Sequence, residues 1–140
     1  AEPMPAVEPD FDALFSAAAA VQARAYAPYS RFKVGAALFA DVGAVYAGCN
    51  VENAAYPSGS CAEQGAISAM IAGGGRAIMA LVVHGEGEEL VTPCGACRQR
   101  IREFAQADMP VAIAGPEGIR ARFSLSALLP ASFGPANLRR

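Results

Sequence analysis

A chain of 140 residues carrying a formal net charge of -2 falls in the size range of one domain that can bury a core without disulfide staples. Lys33 is its only lysine, so no broad cationic surface is available to neutralise a phosphate backbone, which argues against a nucleic-acid polymer as substrate. No stretch has the apolar length of a membrane span, and the start AEPMPAVEPD lacks the basic and apolar regions of a secretory leader; both predict a soluble, cytoplasmic protein with no membrane partner.

In chain order, Phe11, Leu14, Phe15, Ala18, Val21 and Ala25 recur at helical spacing, with Asp10 placed to cap the helix and Pro28 to stop it. Phe32–Phe39 and Val45–Asn50 read as the two strands of a hairpin around Asp41-Val42-Gly43-Ala44. After a Pro57-Ser58-Gly59 break, Ser60 opens a second helix that runs to Gly73-Gly74-Gly75, and Ile78–His84 is apolar enough for a buried strand. Thr92 is placed to cap a third helix that ends near Ala105, with Pro93 in its first turn, where a missing N–H does no harm. Val111–Ala114 predicts a fourth strand, Arg120–Phe123 a fifth, and Leu125–Leu129 a last helical turn or two. Helices interspersed among strands predict an α/β layered fold, in a single domain spanning residues 1–140.

Four cysteines in a chain without a secretory leader point to metal or catalytic thiols rather than disulfides. Cys94 and Cys97 lie three apart on the third helix, so their sulfurs project from one face, and Cys61 at the start of the second helix offers a third. Three protein ligands would leave one tetrahedral position of a zinc ion open, which separates a catalytic site from a closed structural one. Cys49 lacks such spacing and reads as a small buried hydrophobe. Glu63 admits two readings. Ser60-Cys61-Ala62-Glu63 has the spacing of a capping box, whereas a carboxylate beside zinc can move protons to and from water. The thiols favour the second reading, since a cap gives no reason for them.

Charge sets a further requirement, because three thiolates outweigh the two positive charges of zinc. Cys61 and Cys94 fall in first helical turns, where free backbone N–H groups stabilise anions, and Arg98 beside Cys97 is expected to donate to a sulfur. Arg98 and Arg102 share one helix face, expected to be solvated. His84, the lone histidine, matches no ligand position and reads as a satisfied structural or surface residue.

Cys61-Ala62-Glu63 with Pro93-Cys94-Gly95-Ala96-Cys97 has the form of the zinc nucleobase deaminase signature, in which the Glu is not a ligand. Together with Tyr26-Ala27-Pro28-Tyr29-Ser30-Arg31-Phe32-Lys33-Val34-Gly35-Ala36-Ala37-Leu38, Gly48-Cys49-Asn50-Val51-Glu52-Asn53-Ala54 and Leu129-Pro130-Ala131-Ser132-Phe133-Gly134-Pro135, it resembles the cytidine deaminases of the small homotetrameric type over nearly the whole chain. The resemblance implies a three-layer α/β/α fold with a mixed five-stranded sheet, one zinc per subunit, and hydrolysis of a free nucleoside, cytidine or deoxycytidine, to uridine or deoxyuridine in pyrimidine salvage. It implies Cys61, Cys94 and Cys97 as zinc ligands, Glu63 as the catalytic group, and Phe32, Asn50, Glu52, Ala62 and Phe133 as substrate-binding. Asn50 and Glu52 would meet the ribose, and Phe133 would reach a neighbour's site across a subunit interface. One position departs from the pattern: the arginine that commonly follows the catalytic Glu in the small type is Gln64 here. Gln64 and Arg98 are therefore expected beside an electron-rich metal centre, with a turnover below that of relatives. A related base as substrate and a noncatalytic zinc-stabilised domain are the rival readings.

Overall fold

The computed structural model describes residues 9–138, so residues 1–8 of the stretch read as lacking a leader lie outside it. Helix α1, Phe11–Gln22, starts where the periodicity placed it, because the Asp10 carboxylate accepts hydrogen bonds from the N–H groups of Asp12 and Ala13 at 3.0 and 3.1 Å. It is followed by strands β1 (Gly35–Ala40) and β2 (Val45–Cys49), helix α2 (Ala62–Ala72), strand β3 (Ile78–His84) and helix α3 (Gly95–Arg102). Strands β4 (Pro110–Gly115) and β5 (Gly118–Ser124) and the short helices α4 (Leu125–Leu128) and α5 (Pro135–Leu138) complete the described chain.

The five strands form one mixed sheet in the order β2-β1-β3-β4-β5, in which only β3 and β4 run parallel. Side chains alternate across it, as the pleat requires. Ala36, Leu38, Leu81, Val83, Val111 and Ile113 face one side, where Ala66 and Met70 of α2 and Ile101 of α3 cover them. Ala37, Ala80, Val82, Ala112 and Ala114 face the other, against Leu14 and Ala18 of α1. The result is the expected α/β/α sandwich, with each buried leucine contributing about 1.5–3 kcal/mol. Among the described residues no helix is long and apolar enough to cross a membrane.

Register fixes where the site lies. Gly35 pairs with Cys49 on one side and His84 on the other, so β2 and β3 end together at one edge of the sheet. From that edge the chain passes from β2 towards α2 and from β3 towards α3, which brings two helix N-termini to the carboxyl ends of strands, where open α/β sheets hold their ligands. The descent of α2 onto β2 is unusually close. A Cβ on Gly48 would lie 2.5 Å from the Ala62 carbonyl oxygen and 2.7 Å from the Gly65 carbonyl carbon, so only glycine allows this approach.

Several boundaries differ from expectation, two of them for nonlocal reasons. The first strand begins at Gly35 rather than Phe32, because side chains take most of the backbone of this segment: Asn50 Oδ1 accepts from Val34 N–H at 2.9 Å and its Nδ2 donates to the Phe32 carbonyl at 2.8 Å, while the Val34 carbonyl alone accepts from a backbone N–H, that of Asn50, at 3.2 Å. Ser60 does not open α2, since its N–H and C=O are both bonded to Val51 at 2.8 and 2.9 Å, and Cys61 is the N-cap. Likewise Cys94, not Thr92, caps α3, which ends at Arg102. The α5 turn had no counterpart in the sequence reading.

Candidate metal centre and substrate cleft

Cys61 and Cys94 are N-cap residues whose carbonyls accept the first helical bonds, from Gly65 N–H at 3.1 Å and Arg98 N–H at 2.9 Å, while neither side chain is used as a cap. Both sulfurs are thereby left free to meet that of Cys97, one turn into α3 and fully buried. The three Sγ atoms lie within 4.8 Å of one another. Burial foremost, then repulsion from Glu63 and the neighbouring sulfurs, pushes the Cys97 thiol far above the ordinary range, and burial also raises Cys61. For Cys94 burial opposes ionisation, but donors led by the Cys97 backbone N–H outweigh it and lower the thiol below its usual value. Three such groups ionise together only around a multivalent cation. Sulfur donors at this separation fit zinc, whose bonds to thiolate are about 2.3 Å, and three protein ligands leave one position of a tetrahedron for a water or substrate.

Glu63, in the first turn of α2, is only 5 % exposed. Burial raises its carboxyl pKa, opposed by its own backbone N–H and by the charge of Arg100, so it is suited to holding a proton as well as releasing one. The capping-box reading fails on a specific contact: Ser60 is not the cap, and its N–H already donates to the Val51 carbonyl.

The guanidinium of Arg98 does not turn to a sulfur. It donates through Nε to Pro93 O and through Nη1 to Leu128 O, both at 2.7 Å, and through Nη2 to Thr92 Oγ1 at 3.0 Å. Arg102 shares that face and is not left to solvent, since its Nε donates to Ser132 Oγ at 2.9 Å. This face of α3 thus holds the C-terminal segment. Arg100, three residues beyond Cys97, is the arginine whose Nη1 lies 3.5 Å from the Cys97 sulfur. Helical spacing carries the signal that sequence adjacency hid: residues i and i+3 stack, and helical side chains lean towards the N-terminus.

A cleft of about 520 Å³ runs from Cys61, the one of the three thiols that lines it, to the residues expected at the ribose. Tyr29, Ser30, Asn50, Glu52, Tyr56 and Cys61 are among its walls, and its size suits a small-molecule ligand. Glu52 is already engaged: its Oε1 accepts from Tyr29 N–H at 2.9 Å and Ser30 N–H at 3.1 Å, and Ser30 Oγ donates to its Oε2. The Ser30 hydroxyl and N–H hold the Glu52 carboxyl below its ordinary pKa, so it stands in the cleft as a carboxylate. With Asn50 clasping Phe32 and Val34, both side chains fix the turn that forms the opposite wall, each keeping hydrogen-bonding capacity to spare. Tyr29, Ser30 and Tyr56 were not singled out from the sequence.

The other expected contacts do not line this cleft. The Phe32 ring is 39 % exposed, with its N–H donating to Ser30 Oγ at 3.0 Å, and the Ala62 methyl lies in the core. Gln64 is half-buried on α2. Phe133 is 58 % exposed, its carbonyl accepting from Gln99 Nε2 at 2.8 Å. His84 is buried, yet its Nδ1 has no hydrogen-bond partner among the described residues, so it is structural but not satisfied; Cys49 is half-buried.

Known proteins agree with this geometry. Residues 10–113 match the model of the cytidine and deoxycytidylate deaminase zinc-binding region. A cytidine deaminase of Sporosarcina psychrophila is 41% identical over 92% of this chain and 95% of its own length, and one of Mycobacterium tuberculosis is 41% identical over 94% and 95%. The crystal structure of a cytidine deaminase from Burkholderia pseudomallei superposes with a TM-score of 0.82 at 42% identity, covering 89% of this chain and 99% of that one. Three clustered thiols beside a buried glutamate, on this fold and at these identities, mean that the chain belongs to the zinc-binding family of cytidine and deoxycytidylate deaminases.

Proposed function

We propose that this protein hydrolyses cytidine and deoxycytidine to uridine and deoxyuridine, releasing ammonia, in pyrimidine salvage. The observation that carries the reading is the single cleft that has Cys61 in one wall and Asn50 and Glu52 in another, at a volume suited to one nucleoside. Cys61, Cys94 and Cys97 hold a zinc ion, which supplies a Lewis acid that makes water nucleophilic near neutral pH. Asn50 and Glu52 bind ribose hydroxyls with the capacity left by their bonds to the facing turn. Ala62 contributes backbone rather than side chain, since its methyl is buried.

Glu63 carries the protons. It takes one from the attacking water and delivers it to N3 of the ring as the oxygen adds to C4. It then moves the remaining proton of that oxygen to the amino group, so the C4–N bond breaks, ammonia leaves and the C4 carbonyl of uracil forms. Its burial and raised pKa support this double duty.

We further read the chain as one domain over residues 1–140, supported by the one sheet that the described helices cover. We assign it to the cytoplasm, where free thiols persist. A homotetramer is supported by exposed aromatic rings, Tyr26, Tyr29, Phe32, Tyr56 and Phe133, which a neighbouring copy would cover. Phe133, whose carbonyl accepts from Gln99 and which does not line its own chain's cleft, would then reach a neighbour's.

Ammonia release from cytidine and deoxycytidine, with and without a chelator, tests the reaction. Glu63→Ala retains zinc and fold while losing most activity; substantial residual deamination would reject the assignment. Native mass measurement reads the assembly.

A further inference from the structure

Helix α3 carries three arginines at alternate positions, and geometry gives them separate tasks. Arg98 and Arg102 face the C-terminal segment and are occupied by Leu128, Pro93, Thr92 and Ser132. Arg100 faces the opposite way, with Nη1 3.5 Å from Sγ of the fully buried Cys97. Arg100 also borders a second cleft, of about 340 Å³, with Gln64, Ile67, Ser68, Gln99 and Glu103 around it. The neutral side chain at position 64 and the cationic one at position 100 thus border one space, and Arg100 links it to the Cys97 sulfur.

Charge gives this arrangement its meaning. Three thiolates and one zinc ion sum to minus one, and a thiolate that donates strongly weakens the ion as a Lewis acid. Among the described residues Arg100 is the cationic side chain hydrogen-bonded to one of the three sulfurs. We propose that Arg100 is a positioning residue of the metal centre: its guanidinium donates to Cys97 Sγ, offsets the surplus negative charge, and fills from α3 the role that a neutral Gln64 leaves vacant on α2. The inference rests on the zinc reading above but not on the substrate. Because positions 64 and 100 border the same cleft, a guanidinium supplied from either side serves the sulfur.

The test uses the full chain with Co²⁺ replacing zinc, because the sulfur-to-cobalt charge-transfer band reads electron density on the thiolates directly. Arg100→Gln moves that band to lower energy, and in the zinc enzyme lowers kcat about tenfold or more with KM little changed, as loss of an outer partner of a metal ligand does. Adding Gln64→Arg to Arg100→Gln returns band and kcat towards the original values. Arg100 is exposed, so the variant folds, and its thermal unfolding is measured alongside. An unmoved band in Arg100→Gln overturns the bond to sulfur, and a double variant that stays at the single-variant values overturns the exchange between positions. Failure of the unaltered enzyme to release ammonia from cytidine sinks the functional reading alone, since the band still decides this one.

Discussion

Gly48→Ala tests whether the contact between α2 and β2 sets the catalytic geometry. The added Cβ would sit 2.5 Å from the Ala62 carbonyl oxygen and 2.7 Å from the Gly65 carbonyl carbon, both backbone atoms, where ordinary contact starts near 3.4 Å. Helix and strand must therefore part by about 1 Å, at an overpacking cost of about 1–3 kcal/mol. Either movement reaches the site. The first turn of α2 carries Cys61 and Glu63, and β2 leads directly to Asn50 and Glu52, so the two walls of the cleft are displaced against each other. A misplacement of that size lowers kcat roughly 100-fold. Cytidine turnover, zinc content and thermal unfolding are measured beside a control, Gly43→Ala. Gly43 lies in the β1–β2 hairpin loop at a φ of +80° with nothing within 4 Å of an added Cβ, so alanine there costs about 1 kcal/mol of backbone strain and leaves kcat intact. Equal kcat for the original chain and Gly48→Ala refutes the reasoning; equal kcat losses in both variants show that stability, not position, is responsible.

Asn50→Ala removes two bonds to the Phe32–Val34 segment and the proposed ribose contact; stability falls by about 1–3 kcal/mol in denaturant titration and KM for cytidine rises more than kcat falls, and an unchanged KM contradicts the proposed contact. Arg98→Ala frees the carbonyls of Pro93 and Leu128, lowering stability by about 2–3 kcal/mol while zinc content and the cobalt band stay as they were; a shifted band would return Arg98 to the sulfur. Burial lowers the His84 pKa below 6.5, so the folded chain keeps the ring neutral while the unfolded chain takes up a proton. Stability is therefore intact above about pH 6.5 and declines as pH falls through it, and His84→Leu flattens that part of the profile; parallel curves for the two proteins reject the coupling.

The metal centre was legible because its information is local. Cys94 and Cys97 share a helix face by spacing alone, and Cys61-Ala62-Glu63 needs only the start of a helix to present both sulfur and carboxylate. What escaped the sequence depends on partners distant in the chain. Ser60 looks like a cap until Val51 takes both of its backbone groups, and Phe32–Val34 looks like strand until the Asn50 amide takes its place in the ladder. Arg98 was misjudged by adjacency: its backbone neighbours Cys97, but on a helix the next residue points about 100° away, and Leu128 lies where its guanidinium goes. Nothing local marks Gly48 as the place where α2 touches the sheet.

The spacing of the three sulfurs along the chain has a thermodynamic side. An ion held by Cys61 and by the Cys94–Cys97 turn closes a loop of about 30 residues that contains α2 and β3, and a cross-link of that span removes roughly 3–4 kcal/mol of freedom from the unfolded chain in the loop-entropy picture. All four cysteines are free thiols, so the metal acts as the staple that disulfides provide in secreted domains of this size. Stripping it loosens the connection between the two halves of the sheet that bracket β3, and heat resistance departs together with turnover.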